Sequence, residues 1–395
     1  MKIRQITADE RADVSFPVQE YAFSASPADE QLRQKRRGRQ DYSKGNVTLV
    51  AEEDGVAMAS ASAIPMLQNV RGTVYPMAGV AGVATMPMAR RRGFARAVVG
   101  QLLDQMRDTG HVVSALYPFR PSFYERFGFV GLPMTRTVRF APESVAGLLR
   151  VSLPGEVTCE SAADGYPAYR EFTQRLLASQ HGFCIHPDYR AVELRDADDR
   201  WLVMAYSGGE PVGALTYRIT GHGEVLAAGD MLTANALGRA LLLEFFARHV
   251  DQVREVEVLV GPGEFPELWA TDITALIQAE VSLPGSATPM ARVLSLSALA
   301  GLQAGPERVV VEIPGDPYIG GSYVLDGRSG SLEVAPASAA DSEATLTAAG
   351  LSGLVYGVLD PDDLVARGLG DIPADAAARL RVLFPRIHPY LYATF

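Results

Sequence analysis

Two rhythms of apolar residues divide this chain. Residues 2–7, 47–52, 56–67, 70–77 and 80–85 alternate or run as short apolar stretches and predict strands, with Asp54-Gly55 as a hairpin turn. Residues 14–24 carry Phe16, Tyr21 and Phe23 and predict an aromatic-lined helix. From position 95 the rhythm changes. Ala95, Val98, Val99, Leu102, Leu103 and Met106 recur at i, i+3, i+4 and i+7 spacing, which predicts a helix with one buried face. A short apolar strand at 112–116 follows, then an alternating strand at 134–140 and a short helix or linker at 141–150. Residues 1–150 therefore read as one α/β unit.

The same order of elements returns. A helix at 165–180 is followed by a hairpin at 201–206 and 211–219 around Gly208-Gly209. Next come a strand at 225–231, a helix at 237–249 and a strand at 255–260. Residues 151–288 are thus expected to be a second, diverged copy of the first unit. From 289 the pattern changes to strands (290–297, 309–313, 322–325, 332–334, 344–346) and then helices (348–357, 361–367, 373–384). That order predicts an α+β unit over 289–395.

Composition narrows the function classes. The length of 395 residues suits two or three domains, and 48% hydrophobic with 21% charged residues suits a globular protein. A net charge of −10 argues against nucleic acid as the partner. Cys159 and Cys184 are too few for a disulfide framework. Among the six histidines, His181 and His186 flank Cys184 without zinc spacing, so no metal is expected. The opening MKIRQITADERAD lacks the apolar core of a secretion signal, and no apolar run reaches about 18 residues. A cytoplasmic location without a membrane span is the expectation.

Chemistry concentrates at residues 79–106. A small apolar strand ends at Pro87, a basic turn Arg90-Arg91-Arg92-Gly93-Phe94-Ala95 follows, and the helix begins. The first N–H groups of a helix have no internal partner, and the helix dipole adds positive potential there. Gly93 and Ala95 leave room for a ligand to approach the backbone. Such a turn binds phosphate. The spacing Arg90-x-x-Gly93-x-Ala95 resembles the pyrophosphate loop of the GNAT acetyltransferases, which holds acetyl-CoA. In the second unit the corresponding stretch is MLTANALGRAL, without that loop. One cofactor site per chain is expected.

Together, a GNAT unit, a GNAT-like unit and an α+β unit similar to the sterol-carrier-protein fold resemble the Eis (enhanced intracellular survival) family of acetyltransferases. VATMPMARRRGFAR, FYERFGF and the aromatic C-terminal residue carry the resemblance most sharply. The resemblance implies acetyl-CoA as co-substrate, held by Val83, Ala84 and Thr85 on the strand. It also implies contacts from Arg91, Arg92, Gly93, Phe94, Ala95 and Arg96 on the loop, and from Phe119 and Arg120 further on. It puts Tyr124 in the general-acid position and the α-carboxylate of Phe395 in the general-base position. It further implies a homohexamer and a small-molecule amine acceptor; well-studied members acetylate aminoglycosides.

These roles are chemically reasonable. A free strand edge can take the pantetheine arm through backbone hydrogen bonds. An amine must shed a proton before it attacks, and a carboxylate of ordinary pKa of about 3.3–3.7 can accept it through water. A phenol of ordinary pKa of about 10 can return a proton to the leaving thiolate. Two other readings stay open: a protein-lysine acetyltransferase, and a non-catalytic protein in which the third unit holds a lipid. The acceptor stays open too. Arg33, Lys35, Arg36, Arg37 and Arg39 put five cations in seven positions, either as a solvated helix face or as a mouth that attracts anions. If they form the mouth, polycationic aminoglycosides are poor substrates, with Asp29, Glu30 and Glu125 as the available counterweights.

Overall fold

A computed structural model describes residues 1–221, 223–279 and 288–395. The first sheet contains β1 (Lys2–Ile6), β2 (Val47–Glu53), β3 (Val56–Val70), β4 (Thr73–Thr85), β5 (Val113–Leu116) and β6 (Val130–Gly131). The strands expected at 70–77 and 80–85 are one. The turn before them is Arg71-Gly72, with both residues at positive φ (48° and 84°), and Gly79 continues the strand instead of breaking it. The expected helix at 14–24 is two, Arg11–Val14 and Phe16–Phe23, and its Tyr21 and Phe23 face solvent.

The second sheet takes β7 (Arg136–Phe140), β8 (Glu156–Ser161), β10 (Trp201–Ser207), β11 (Glu210–Thr220), β12 (Val225–Asp230), β13 (Leu232–Thr233), β14 (Glu255–Val260) and β15 (Ala275–Gln278). A two-residue strand, β9 (Cys184–Ile185), crosses back to pair with β3. Strand β16 (Met290–Val293) returns to the first sheet, between β5 and β6. Sheet membership therefore cuts across the sequence order. The strand expected to end the first unit, at 134–140, pairs antiparallel with β14 of the second sheet. The strand expected to open the third unit fills the first sheet beside β5. Strands this short carry no signal of partner choice, and the pairing is decided by which sheet has a free edge.

Both mixed sheets contain one parallel pair flanking a helix: β4 with β5 around Phe94–Asp108, and β12 with β14 around Ala236–Ala247. This is the tandem GNAT-like α/β architecture. A third sheet, in the order β19-β18-β17-β20-β21, comprises β17 (Arg308–Ile313), β18 (Gly321–Asp326), β19 (Glu333–Pro336), β20 (Ala344–Leu346) and β21 (Gly370–Asp371). Helices Ala348–Val355, Pro361–Ala366 and Ala374–Leu383 accompany it.

The first sheet is covered on both faces. Val98, Val99, Leu102 and Leu103 pack on Ala59, Ala61 and Ala78, while Met66, Met77 and Ala291 join a core shared with Leu351, Leu354 and Leu380 of the third unit. Two buried arginines fasten the third unit. Arg71 donates to the carbonyls of Leu354 (3.0 Å), Val355 (2.6 Å) and Pro385 (2.8 Å), a cation at a helix C-terminus where the dipole favours it. Arg292 pairs with Asp316 at 3.1 Å and lies over the Tyr318 ring at 4.6 Å. A buried charge left without its partner is strongly destabilising, so both contacts fix the third unit in place.

Candidate active site

The helix after the basic turn runs Phe94–Asp108, and it buries Phe94, not Ala95, at the head of the predicted face. Phe94 is the bulkier residue and takes the core position; Ala95 is half-buried. Gly93 caps the helix in the left-handed region at φ 88°, with no side chain closing the first turn. A Cβ at Gly93 would meet nothing within 4 Å. The N–H groups of Phe94, Ala95 and Arg96 thus point out of an uncapped, open helix start. Arg91 also has positive φ (61°), which curls the turn. The arginines are not all free to follow a ligand. Arg92 grips Glu53 through both terminal nitrogens (2.6 and 2.9 Å) and lies over Phe94, while Arg90 lies over Tyr21. Arg91 and Arg96 are exposed.

Upstream of this turn β4 outruns its parallel neighbour. Met77–Val80 pair with Val113–Leu116, where β5 ends, while β4 continues to Thr85 paired only with β3. Val83, Ala84 and Thr85 therefore lie beyond the β5 pairing, on an edge open for an extended ligand. A bulge opens this stretch: Gly82 and Val83 stand opposite Ala61 alone, with Gly82 at φ 60°. Such bulges redirect a strand beside functional sites.

After β5 the chain turns at Tyr117 into the helix Pro121–Glu125. Tyr124 is buried there among aromatic rings, edge-on to Phe119 (5.4 Å), Phe123 (4.9 Å) and Phe129 (6.0 Å). Burial pushes its phenol well above the ordinary value, so it stays protonated and is available as a donor. Phe119 is half-exposed, and Arg120 donates to Ser122 at 3.2 Å.

The C-terminal segment docks between the units. Tyr390 N–H donates to the His181 carbonyl at 2.9 Å, and its hydroxyl donates to Asp230. Tyr392 stacks on Phe183 (4.7 Å, 3°) and shares a hydrogen bond with Tyr169. Tyr117 donates to the Ala393 carbonyl at 3.3 Å. The Phe395 ring then meets Tyr117 edge-on at 5.4 Å and covers Gly79, where a Cβ would come within 3.2 Å of it. The structure thus brings the last residue onto the end of the β4–β5 pair, on the strand that continues to Val83–Thr85.

A cavity of about 970 Å³ borders the tail at Tyr392 and Thr394, walled by Lys35, Arg39 and Tyr42 from the first unit and Tyr169, His186 and Arg190 from the second. The basic stretch is therefore not only a solvated face: Lys35 and Arg39 line the wall. Its acidic counterweights are engaged elsewhere. Glu125 pairs with Arg367, Asp29 caps its helix at Leu32, and Glu30 pairs with Arg37. The sequence did not single out His186 for this wall. Burial lowers its pKa to about 3, its ring interacts with the Thr394 backbone, and its Nδ1 is buried without a partner among the described residues. Its sequence neighbours do other work. His181 accepts from the Arg71 N–H, and Cys184 is buried in the core with its thiol pushed up to about 12.

The second unit's counterpart is closed. The helix Ala236–Ala247 is capped by Asn235, whose side chain accepts from Gly238 N–H at 2.9 Å. A Cβ at Gly238 would lie 2.0 Å from the Val212 carbonyl, so strand β11 seals that turn. At the ends of β12 and β14, Tyr390 sits against Gly261 and donates to Asp230.

Residues 2–131 match the family described as the acetyltransferase (GNAT) domain. The N-acetyltransferase Eis of Mycobacterium tuberculosis is 41% identical over 56 residues, which cover 14% of this chain and 14% of that protein. The chain thus matches only about a seventh of the length of the curated Eis relatives. Its fold is that of a GCN5-related N-acetyltransferase from Anabaena variabilis, with TM-score 0.83, 19% identity and full coverage of both chains. Eis1 from Mycobacterium abscessus is similar, with TM-score 0.79, 20% identity and full coverage of both chains. The class is thereby defined for the first unit: it is a GNAT acetyltransferase domain.

Proposed function

We propose that the protein is an acetyl-CoA-dependent N-acetyltransferase of the Eis type that acetylates a primary amine. The observation that carries this reading is that β4 joins three features: Phe395, from the far end of the chain, docked over Gly79, the free edge at Val83–Thr85, and the open helix start at Gly93 just after the strand. In this reading acetyl-CoA lays its pyrophosphate on the N–H groups of Phe94, Ala95 and Arg96 and its pantetheine arm along Val83–Thr85. Arg91, Arg92, Phe119 and Arg120 border it. Backbone N–H groups at the edge would stabilise the tetrahedral oxyanion. The Phe395 carboxylate takes the amine proton through water, and the protonated Tyr124 hydroxyl returns one to the departing thiolate.

The third unit, proposed to have a sterol-carrier-like fold over residues 289–395, would serve to deliver that carboxylate. A homohexamer rests on the resemblance; among the described residues no helix is long and apolar enough to cross a membrane. The test is thiol release from acetyl-CoA with a panel of amines, aminoglycosides and lysine peptides. We expect release with small amines, and a loss of more than about tenfold when residues are appended after Phe395. Full turnover in the extended protein would remove the carboxylate from the mechanism, and acetylation confined to peptides would favour the protein-lysine reading.

A further inference from the structure

The charges around the large cavity do not balance. Three carboxylates face it, and each is already matched: Glu193 by Arg39, Asp196 by Arg195 and the Tyr42 hydroxyl, Asp199 by Arg200. Arg170 is matched by Asp188 at 2.7 Å. Lys35 and Arg190 remain, and among the described residues neither has an ion pair. Arg190 is half-buried, and its Nε is buried with no hydrogen-bond partner among the described residues. It also borders two smaller cavities, one of which reaches Gly82 at the β4 bulge. A half-buried guanidinium without an anion is costly, and arginine's planar fork matches carboxylate and phosphate.

We infer that the acceptor is a small amine that carries an anionic group, held by Arg190 with Lys35 at the cavity mouth, so that the amine end reaches the β4 edge. This rests on the acetyl-transfer reading above. The cavity has the size of small-molecule sites. A polycation entering it would meet two uncompensated positive charges and no uncompensated carboxylate, so aminoglycosides are disfavoured.

The test uses amines of one length that differ at the far end: aminovalerate (anionic), aminopentyl phosphate (anionic), pentylamine (neutral) and cadaverine (cationic). Their binding to the CoA-loaded protein is measured by calorimetry, and CoA release is followed in parallel. The anionic amines should bind roughly tenfold or more tightly than cadaverine, and added salt should shrink the difference. Whichever of the two binds better identifies the anion as carboxylate or phosphate. Arg190→Ala should bring the ratio within about twofold, and Arg190→Lys should restore part of it. Lys35→Ala, at an exposed position, should lower the ratio less and guards against a folding defect at Arg190. Cadaverine or an aminoglycoside binding as tightly as aminovalerate, or an unchanged ratio in Arg190→Ala, overturns the inference. If cadaverine is acetylated and aminovalerate is not, the inference falls and the transferase reading stands. If aminovalerate binds through Arg190 but no amine releases CoA, the anion site stands and the transferase reading falls.

Discussion

The helices Phe94–Asp108 and Ala236–Ala247 each lead from one strand of a parallel pair to the other, yet their first turns have opposite characters. At Gly93 the turn is left-handed, uncapped and open for at least 4 Å where a side chain would begin. At Asn235 a side chain takes the Gly238 N–H, and the Val212 carbonyl presses on Gly238. The C-terminal tail repeats the contrast. Tyr390 is tied to Asp230 at the end of the second parallel pair, while Phe395 comes to rest over Gly79 of the first pair, and β4 continues open beyond it. A helix start can spend its free N–H groups on a cap, which favours stability, or leave them for a ligand, which favours binding. The two helix starts have taken different options.

The sharpest way to break this comparison is Gly93→Glu. Bulk and negative charge at the open turn should lower acetyl-CoA affinity by about 100-fold or more by calorimetry; native affinity would show that the pyrophosphate lies elsewhere. Tyr124→Phe should lower kcat on the order of 100-fold with acetyl-CoA binding retained. An unchanged kcat would return Tyr124 to a packing role.

The second parallel pair is probed through pH. Burial raises the Asp230 carboxyl from 3.8 to about 6, against the opposing pull of the Tyr390 hydrogen bond. Below about 4 the carboxyl is protonated in both folded and unfolded chains; between about 4 and 6 only the folded chain keeps the proton. Stability should therefore fall as pH rises through that window, by on the order of 3 kcal/mol. Denaturant titrations should show this slope in the wild type and lose it in Asp230→Asn. The smallest effect expected is that of Asn235→Ala, about 1 kcal/mol of stability with acetyl-CoA affinity unchanged. A change in affinity there would mean that the second helix start takes part in binding after all.

How much of this could be read beforehand depends on whether a feature is local. The helix at 94–108 and the basic turn before it were legible, because periodicity and a glycine at a helix start are properties of neighbouring residues. The place where Phe395 docks could not be read from local pattern, since some 300 residues separate it from Gly79. His186 and Arg190 could not be found. Their importance lies in what they lack, a partner, and that is defined only once three segments form one wall. The basic stretch 33–39 was ambiguous for a related reason. A cationic helix looks the same in sequence whether water or a cavity faces it. Strand order failed where strands were short, at 136–140 and 290–293.

That exchange of strands limits how the gene can be cut. Because β7 serves the second sheet while β9 and β16 serve the first, the chain crosses between these two sheets four times, and no single cleavage point separates the two α/β units intact. A fragment ending near residue 150 would carry away β7 and leave the β5 edge bare, a template for aggregation. The two α/β units are therefore expected to fold together, although one helix start is open to a ligand and the other is sealed.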